Sequence, residues 1–585
     1  MKKSYTTYGN YDKYPQTDIK GYDNQAFSGY SAIAHELTQK LSGGRTIIVL
    51  DCYPNVDYKE LLDGFALLNP VKVICSDNCA ISAQLYKEKI ADNLTDDRVF
   101  GFMSHKKIDT YFDYDKLQTA RTELEAITNG VVLVYGVGAS LITKGDILIH
   151  CDLARWEIQT RYKQGASNWN TDNRDAPILT KYKQGFFVEW RFADKHKQNV
   201  WKDMDYVLDT NVSNSPKMIT SSAFFEGLSQ VVSQPFRVVP YFDPGVWGGQ
   251  WMKDVCSLPQ DKANYAWSFD GVPEENSLYM VYGDVRVEVP SIDLVFYQPQ
   301  KLLGERVHGR FGAEFPIRFD FLDTMGGQNL SLQVHPLTEY IQQNFGMNYT
   351  QDESYYILDT DETEETFVYL GVKENVDSTQ MIADLNRAQN GEISFPAEKY
   401  VNKIAVKKHD HILIPAGTIH CSATNTMVLE ISATPYIFTF KLFDWDRLGL
   451  DGLPRPIHIE HGEKVIQWDR DTKWVHDNLV NNFTVLEKTD TLTVTKTGLH
   501  EREFIETVTH RTTQTVHCTT KGSVNMLNLV EGIEAIIQSP TNSFENFIVH
   551  YAETFIIPAH VDTYTITPYG KSEGKEIMTI TAYVR

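Results

Sequence analysis

The segment SLQVHP (331–336) decides the fold of the second half of this chain. It is the first of three short, strand-like segments that carry candidate metal ligands. In a β-strand, residues two apart point to the same face. Gln333 and His335 therefore share one side of this segment. A histidine in a strand is by itself more often a buried or solvated residue than a ligand. The interpretation therefore depends on the segments that follow.

Two further segments supply the remaining candidate ligands. QDESYYIL (351–358) is a strand-like run that contains Glu353. IPAGTIH (414–420) ends in His420 after a Pro-Ala-Gly turn, where the backbone can approach closely and aim an imidazole inward. Two imidazoles, a carboxylate and an amide oxygen suit a divalent ion such as zinc. The sequence therefore predicts one zinc or other divalent ion per chain, held by Gln333, His335, Glu353 and His420.

Four longer blocks around these residues resemble type I mannose-6-phosphate isomerases in their order and spacing. The blocks are FPIRFDFLDTMGGQNLSLQVHP (315–336), DESYYILDT (352–360), HILIPAGTIHCSA (411–423) and VLEISATPYIFTFKLFDWDRLGL (428–450). The resemblance runs from about Tyr241 to Gly462 and is weaker from there to Arg585. It implies that the four candidate ligands lie in a cupin, a double-sheet jelly roll, and that a second cupin follows.

The resemblance also implies an activity, the interconversion of mannose 6-phosphate and fructose 6-phosphate through an enediol. The family's catalytic arginine falls at Lys441, which keeps the positive charge but lacks the planar fork of arginine. Glu430, on a strand shortly after His420, is a candidate acid–base residue. Two simpler interpretations stay open, in which Lys441 points to solvent and Glu430 pairs with Arg447. Asp444 and Arg447 are expected to brace the site.

Two features of the family's pattern are missing from this chain. The family has Gly-Asp ahead of PxGxxH, whereas this chain has His409 and His411 there, which we expect to be solvated and not extra ligands. The family also has a lysine two residues before its glutamate ligand, where this chain has Gln351. A phosphate contact expected there would have to come from elsewhere. Candidates for that contact are Lys253, Lys301 and Arg310.

The bulk composition excludes several classes of protein. The chain has 585 residues and a net charge of −22, which argues against a general nucleic-acid or anionic-membrane binder, since either would need a positive face. Its seven cysteines are scattered without a CxxC pair, so neither a disulfide framework nor a cysteine zinc site is indicated. No stretch approaches the ~20 apolar residues of a membrane span. These features predict a cytoplasmic protein with no nucleic-acid or membrane partner.

The first part of the chain alternates apolar strands with amphipathic helices. The strands are RTIIVLD (45–51), VKVICSD (71–77), VVLVYGV (131–137) and DILIHCD (146–152). Strands that are apolar throughout are typical of a parallel sheet covered on both faces. We therefore expect an α/β parallel-sheet domain at 1–220.

This α/β segment resembles nucleoside and uridine kinases. Ser28, Gly29 and Ser31 occupy the place of the P-loop, but the lysine that reaches the phosphates is absent, so a degenerate P-loop fold is expected. The resemblance leaves a nucleotide or phosphate open as a ligand of this domain. Arg155 is a candidate phosphate contact, and Glu157 with Arg161 is expected to form an ion pair on a helix.

Changes in residue pattern along the chain suggest where the domains end. Residues 160–220 are polar and irregular, which predicts loops and a linker, with a strand inside KQGFFVEWRFAD (183–194). From about 225, short strands alternate with turn signals, as in all-β barrels and jelly rolls. We predict an all-β double cupin with a small helical insertion at 382–389. Its two parts are a catalytic cupin at 225–475 and a second jelly roll at 476–585.

Three functions are compatible with these features. The first is a metal-dependent isomerase whose substrate is mannose 6-phosphate, a sugar phosphate. The second is a sugar- or nucleotide-binding regulatory protein without turnover, which the replacement of arginine by Lys441 and the missing P-loop lysine would favour. The third is an isomerase of a different sugar.

Overall fold

Two compact units make up the described structure, and neither is continuous in sequence. The computed structural model describes residues 5–433, 436–450, 452, 454–498 and 500–585. One unit, called here the α/β unit, contains residues 16–230 and 277–297. The other, called the β unit, contains 231–276 and the described parts of 1–15 and 298–585. Within the described ranges, no helix combines the length and the apolar character needed to cross a bilayer.

The α/β unit is built on a seven-stranded sheet with a parallel centre. In spatial order its strands are Ala26–Ser28, Lys217–Thr220, Tyr206–Asp209, Ile147–Asp152, Arg45–Cys52, Gly130–Gly136 and Lys72–Cys75. The first two pair antiparallel and the other five are parallel. The strand Arg45–Cys52 is buried from its second residue to its end, as expected for a strand covered on both faces. The predicted parallel sheet is confirmed.

Helices and a small second sheet complete the α/β unit. The α-helices are Tyr30–Thr38, Tyr58–Phe65, Ala83–Leu94, Tyr114–Glu125, Arg155–Lys163, Ile178–Gln184, Trp190–Val200, Ser221–Val231 and Ile292–Tyr297. The small sheet contains Gln16–Asp18, Ser277–Tyr282 and Val285–Pro290. Three of these helices begin at an Asp or Ser whose side chain accepts backbone N–H groups, namely Asp57, Ser82 and Asp113.

Two predictions for residues 160–220 are wrong. The segment predicted to hold a strand at 183–194 is helical, with a π-helical turn at Gly185–Glu189 between two α-helices. The region also contains strands and helices where a linker was expected. The aromatic run Phe186–Phe187 is fully buried, and a short apolar run does not distinguish a buried helix from a strand. The buried Glu189, held by Asn168 and Gln184, shows that this is core structure.

The P-loop interpretation is not confirmed. Ser28 ends an antiparallel edge strand, whereas phosphate-binding loops follow a central parallel strand. The amide of Gly29 already donates to the carbonyl of Pro216 at 2.9 Å. Arg155, the candidate phosphate contact, is buried and paired with Asp194 at 2.5 Å. The predicted pair of Glu157 and Arg161 is confirmed, at 2.9 Å.

The segment Ser277–Tyr297 belongs to the α/β unit, although the sequence analysis placed it in the barrel domain. Its first strand pairs in parallel with Gln16–Asp18. Asp293 accepts from the buried ammonium of Lys197 at 2.9 Å, and the same ammonium lies 2.8 Å from Asp152. This segment therefore supplies a counterion to the core of the unit. The boundaries at 220, 225 and 475 stay a prediction.

The β unit contains two pairs of sheets, which confirms the predicted multi-sheet, mostly β architecture. In the first pair, one sheet has six strands, in spatial order His411–Ile414, Asp352–Thr360, Thr426–Ala433, Arg318–Asp323, Trp267–Gly271 and Tyr241–Asp243. The other sheet of this pair has five strands, Val401–Ala405, Phe367–Val372, His420–Ser422, Leu332–Val334 and Phe440–Phe443. In the second pair, one sheet has six strands, Thr484–Lys488, Leu492–Gly498, Ile505–Thr512, Ile577–Val584, Asn525–Glu531 and Thr554–Ile557. The other sheet has four strands, Val516–Thr519, Thr563–Pro568, Glu534–Gln538 and Phe547–His550.

Short helices decorate the β unit. They are Trp251–Val255, Pro299–Leu303, Glu305–Phe311, Thr338–Phe345, Ser378–Gln389, Ala397–Tyr400, Ile459–Val465 and Thr472–Asn478. The predicted helical insertion at 382–389 is confirmed within Ser378–Gln389, which begins at Asp377, whose side chain accepts from the amide of Gln380.

The buried carboxyl of Glu288 should make the stability of the α/β unit depend on pH. Burial and the neighbouring Asp209 raise the pKa of Glu288 from 4.5 to about 7, while Trp156 and Ser277 donate to its carboxyl oxygen at 2.9 and 2.5 Å. A carboxyl that keeps its proton longer in the native state loses stability as the pH rises through the interval between the two pKa values.

We therefore expect the free energy of unfolding of the wild type to fall between about pH 4.5 and pH 7, and Glu288→Gln to reduce that fall by about 1–3 kcal/mol. Urea unfolding at pH 5 and pH 8 measures the difference. The exposed Glu88→Gln in the same unit is the control. An equal pH dependence in wild type and Glu288→Gln would contradict the assignment.

Candidate metal centre

The predicted ligands come from two facing sheets and meet at one point. Gln333, His335 and His420 belong to or directly follow strands of the five-stranded sheet, whereas Glu353 lies on the six-stranded sheet. One carboxylate oxygen of Glu353 lies 3.0 Å from Nε2 of His335, and the other lies 2.9 Å from Nε2 of His420. The potential ligand atoms of these three residues lie within 4.8 Å of one another, and all three side chains are buried.

Gln333 lies directly opposite His420 in the five-stranded sheet. Its amide nitrogen is 3.2 Å from Nε2 of His420. A half turn of the amide brings its oxygen to the same position, where it can act as a ligand. The structure thus brings all four predicted ligands together.

Backbone carbonyls orient both imidazoles. Nδ1 of His335 donates to the carbonyl of Phe438 at 3.1 Å, and Nδ1 of His420 donates to that of Thr418 at 2.9 Å. With Nδ1 carrying a hydrogen, the Nε2 lone pair of each ring is directed at the shared point, as in metal-bound histidines. The amide of Gln351 donates to Glu353 at 2.8 Å and fixes the carboxylate. Sequence analysis did not identify this role of Gln351, although Gln351 directly precedes the strand and is two residues from Glu353.

Unpartnered atoms show that the site fits a cation. Among the described residues, Nε2 of His335 and Oε1 of Glu353 are buried without a partner in hydrogen-bonding geometry, although the first lies 3.0 Å from Oε2 of Glu353 and the second lies 2.9 Å from Nε2 of His420. Buried polar atoms without partners are costly. A divalent ion at the shared point would satisfy them, and imidazole and carboxylate are suitable donors for zinc.

The charges of the site support this fit. Burial alone would raise the pKa of Glu353, but the two imidazoles hold it well below its usual range. Burial would lower the pKa of His335, but the Glu353 carboxylate and the Phe438 carbonyl raise it above its usual value. The centre therefore keeps a negative carboxylate in a buried position, which requires a positive partner.

The turn before His420 is tied to the other ligand segments. The amide of Gly417 donates to the carbonyl of His335 at 2.9 Å, and the amide of Ala416 donates to the side chain of Asp352 at 2.8 Å. Gly417 has a φ of 89°, and a Cβ at this position would lie 2.9 Å from the carbonyl of Val465. Glycine is therefore needed there, and the turn holds three ligands in register.

Lys441 lies on the strand next to Gln333, and Asp444 directly follows that strand. Lys441 is the register partner of Gln333, and directly opposed residues of an antiparallel pair project from the same face. Its half-buried side chain therefore starts on the face of the metal ligands. Asp444 accepts from Ser331 at 2.7 Å and from Arg447 at 2.7 Å, so these residues brace the strand that carries Gln333.

Glu430 has a neighbour that sequence analysis missed. Glu430 and Asp320 oppose each other on adjacent strands of the six-stranded sheet, and Glu430 also opposes Tyr355. Tyr355 is two residues from Glu353, so these side chains share the face that carries the metal ligand. Asp320 Oδ1 and the Tyr355 hydroxyl are buried without a hydrogen-bond partner among the described residues. The signal in the sequence was the alternation of Arg318 and Asp320 with apolar residues in RFDFLD.

Glu430 and Asp320 both have pKa values above those of ordinary carboxyls. Burial, Glu353 and Asp320 raise the pKa of Glu430 well above its usual value. Burial, Glu275 and Glu353 raise the pKa of Asp320 to about 7, against an opposing effect of Arg318. The alternative in which Glu430 pairs with Arg447 is not observed, since Arg447 lies on Asp444.

The remaining candidates have other roles. The prediction of a solvated His411 is wrong, because His411 is fully buried and burial lowers its pKa to about 3. His409 lies 3.2 Å from Glu531. Lys253 is buried and donates to the carbonyl of Lys262, and Arg310 stacks on Phe504, so both have structural contacts.

Comparisons with known proteins give matches to two parts of the chain. A family model described as "Domain of unknown function (DUF8485)" matches residues 29–233. Mannose-6-phosphate isomerase ManA of Bacillus subtilis is 24% identical over 238 residues, which cover 40% of this chain and 69% of that protein. Mannose-6-phosphate isomerase of Streptococcus mutans is 25% identical over 237 residues, covering 40% and 68%. About 40% of the chain is thus homologous to mannose-6-phosphate isomerases.

A comparison of folds gives a similar neighbour. The crystal structure of the mannose 6-phosphate isomerase from Bacillus subtilis is 18% identical, with a TM-score of 0.49, and covers 60% of this chain and 100% of that one.

The ligand geometry predicts the effect of removing one imidazole. His335→Ala should lower zinc affinity by at least about 100-fold, since changes to residues that only support a ligand already cost 10–100-fold. Metal analysis after dialysis against a weak chelator measures this. His409→Ala, which removes an imidazole from outside the centre, is the control, and circular dichroism checks folding. Equal zinc content in His335→Ala and wild type would show that the ligand set is wrong.

Proposed function

We propose that this chain is a metal-dependent aldose–ketose isomerase of the cupin type that interconverts mannose 6-phosphate and fructose 6-phosphate. The observation that carries the proposal is the convergence of His335, Glu353 and His420 on one buried point, with Gln333 beside them. These four residues would hold zinc or another divalent ion. The ion would supply Lewis acidity toward the sugar oxygens. The homology with mannose-6-phosphate isomerases supports the choice of substrate.

Glu430 and Asp320 are suited to the proton movements. The isomerisation removes a proton from C2 of the aldose and returns one to C1, through an enediol, while a hydroxyl proton passes from O2 to O1. Two opposed buried carboxyls do not both ionise readily, so one holds a proton while the other can accept one. Burial raises the pKa of both carboxyls, which favours keeping one proton between them. Glu430 is proposed as the acid–base residue and Asp320 as its partner.

Lys441 is proposed to stabilise the negative charge that develops on the sugar oxygens. It projects from the same face as Gln333, and a cation near a developing oxyanion lowers the barrier. A lysine provides this charge without the two-pronged grip of arginine. The substitution therefore changes how tightly the oxygens are held more than it changes the sign of the charge.

The proposal also covers the cellular compartment, the domain boundaries and a ligand of the first domain. The seven cysteines, all in the described part of the chain, form no disulfide, which suits a reducing cytoplasm. The proposed domains are 1–220, 225–475 and 476–585, with the α/β domain at the first. A nucleotide or phosphate is proposed as a ligand of that domain.

Chelation tests the metal dependence. We expect turnover of mannose 6-phosphate and exchange of its C2 hydrogen with deuterated water, both lost with chelator and restored by zinc. NMR measures the exchange directly. Metal binding without C2 exchange would refute the isomerase and leave a binding protein. Exchange with mannose but not with mannose 6-phosphate would replace the substrate and keep the reaction.

Variants of Lys441 test the charge. Lys441→Ala should lower kcat by about 100-fold or more, because removing one stabilising donor from an oxyanion typically costs 10²–10³. Lys441→Arg should retain most of the rate, and metal content should stay unchanged in both. An unchanged kcat in Lys441→Ala would remove this residue from the mechanism.

Variants of the carboxyl pair test proton transfer. Glu430→Gln should lower kcat by about 10²–10⁴, the usual contribution of general acid–base catalysis. Asp320→Asn should lower kcat less and shift the acidic limb of the pH–rate profile, because Asp320 raises the pKa of Glu430. Glu362→Gln, an exposed carboxyl of the same unit, is the control. A profile of Asp320→Asn that superposes on the wild type would contradict the pairing.

A further inference from the structure

The α/β unit contains a cavity of about 840 Å³ that the proposed isomerase does not use. This volume lies within the range of small-molecule sites. Three regions of the unit line it, around 107–109, 140–148 and 192–203. All of them belong to the part of the chain that matches a family of unknown function.

The rim of the cavity is basic although the chain is acidic. Lys107, Lys144, Lys195 and Lys202 line it, against two carboxylates. The chain as a whole carries a net charge of −22, so a local excess of positive charge is unexpected from composition. An excess of cations around a concave surface attracts anions by its field.

The cations are only partly compensated by the protein. Lys144 pairs with Asp203 at 2.8 Å. Lys195 contacts the carbonyl of His105 at 3.3 Å, and burial together with the nearby cations Arg191 and Lys107 lowers its pKa. A bound anion would relieve this repulsion.

The floor of the cavity is apolar. Ile108, Leu148, Phe192 and Val200 line it and are buried. Apolar walls with a few polar groups are typical of sites for organic ligands. The floor suits a ring, and the rim suits charged groups attached to it.

Two polar side chains lie at the inner end of the cavity. Nε2 of His196 lies 3.0 Å from a carboxylate oxygen of Asp51 and 3.2 Å from the hydroxyl of Ser140. Both contacts use the same ring nitrogen, so this is not the arrangement of a catalytic triad, in which the acid and the nucleophile contact different nitrogens. Asp51 also accepts the amide of Ser140 at 2.8 Å, so the group is rigid. It offers recognition and not nucleophilic catalysis.

We propose that this cavity binds an organic anion that carries at least two negative charges and an aromatic ring, the class to which nucleotides belong. The site is separate from the loop at Ser28–Ser31, where sequence resemblance placed the phosphates. It refines the proposed ligand of the α/β domain by giving it a location and a chemistry. It does not depend on the metal centre or on isomerase activity.

Isothermal titration of the full chain tests the proposal with four probes: ATP, AMP, pyrophosphate and citrate. We expect saturable 1:1 binding of ATP that weakens with added salt. The double substitution Lys107→Gln with Lys195→Gln should weaken it by about tenfold, since it removes two exposed ion pairs with the anion. Asn199→Trp, which fills the rim without changing charge, should weaken it as well. The matched control replaces Lys40 and Lys59, two exposed lysines outside the cavity, by Gln.

Each outcome decides the proposal. ATP binding that is weakened by both cavity changes and not by the control would support it. Pyrophosphate or citrate binding as tightly as ATP would overturn the role of the apolar floor. No saturable binding of any probe at millimolar concentration, or equal binding by the variants and wild type, would overturn the site. Loss of isomerase activity in His335→Ala leaves each of these readouts unaffected.

Discussion

A negative carboxylate from one sheet meets two imidazoles from the opposite sheet, and the geometry of the β unit depends on this contact. Glu353, His335 and His420 are all buried, so their charges and lone pairs cannot be satisfied by water. Burying an unpaired charge costs far more than a surface ion pair gains. The surroundings therefore have to fix each side chain closely and provide for a cation at the shared point.

The supporting contacts meet this demand through the backbone. The carbonyls of Phe438 and Thr418 orient the imidazoles, and the turn at Gly417 is bonded to the His335 segment. Bonds of this kind do not depend on flexible side chains, so they can hold ligands to within a few tenths of an ångström. On the sheet that carries Glu353, Glu430 and Asp320 remain as protonatable groups. The same interior thus separates groups that would hold an ion from groups that would move protons.

Buried charge in the α/β unit is also balanced by opposite charge, but here without a proposed metal ion. The buried ammonium of Lys197 lies between Asp152 and Asp293, so its charge is balanced by residues of the unit itself. The basic cavity, in contrast, has fewer acidic than basic groups. One cluster is closed by its own counterions and is structural, whereas the other is proposed to bind a ligand. Balance of charge, and not the number of ionisable residues, distinguishes them.

The sequence by itself determined the parallel sheet and the mostly β second half. It also identified the residues that converge at the centre, because strand periodicity and a Pro-Ala-Gly turn are local properties. Their role as metal ligands stays a prediction. Only the tertiary structure placed Asp320 opposite Glu430 and brought Ser277–Tyr297 into the α/β unit, since pairing between distant strands leaves no local signal. It also decided that 183–194 is helical and gathered lysines from separate segments into one cavity. A short apolar run fits a buried helix or strand equally well, and the spacing of charges along a chain does not fix their distances in space.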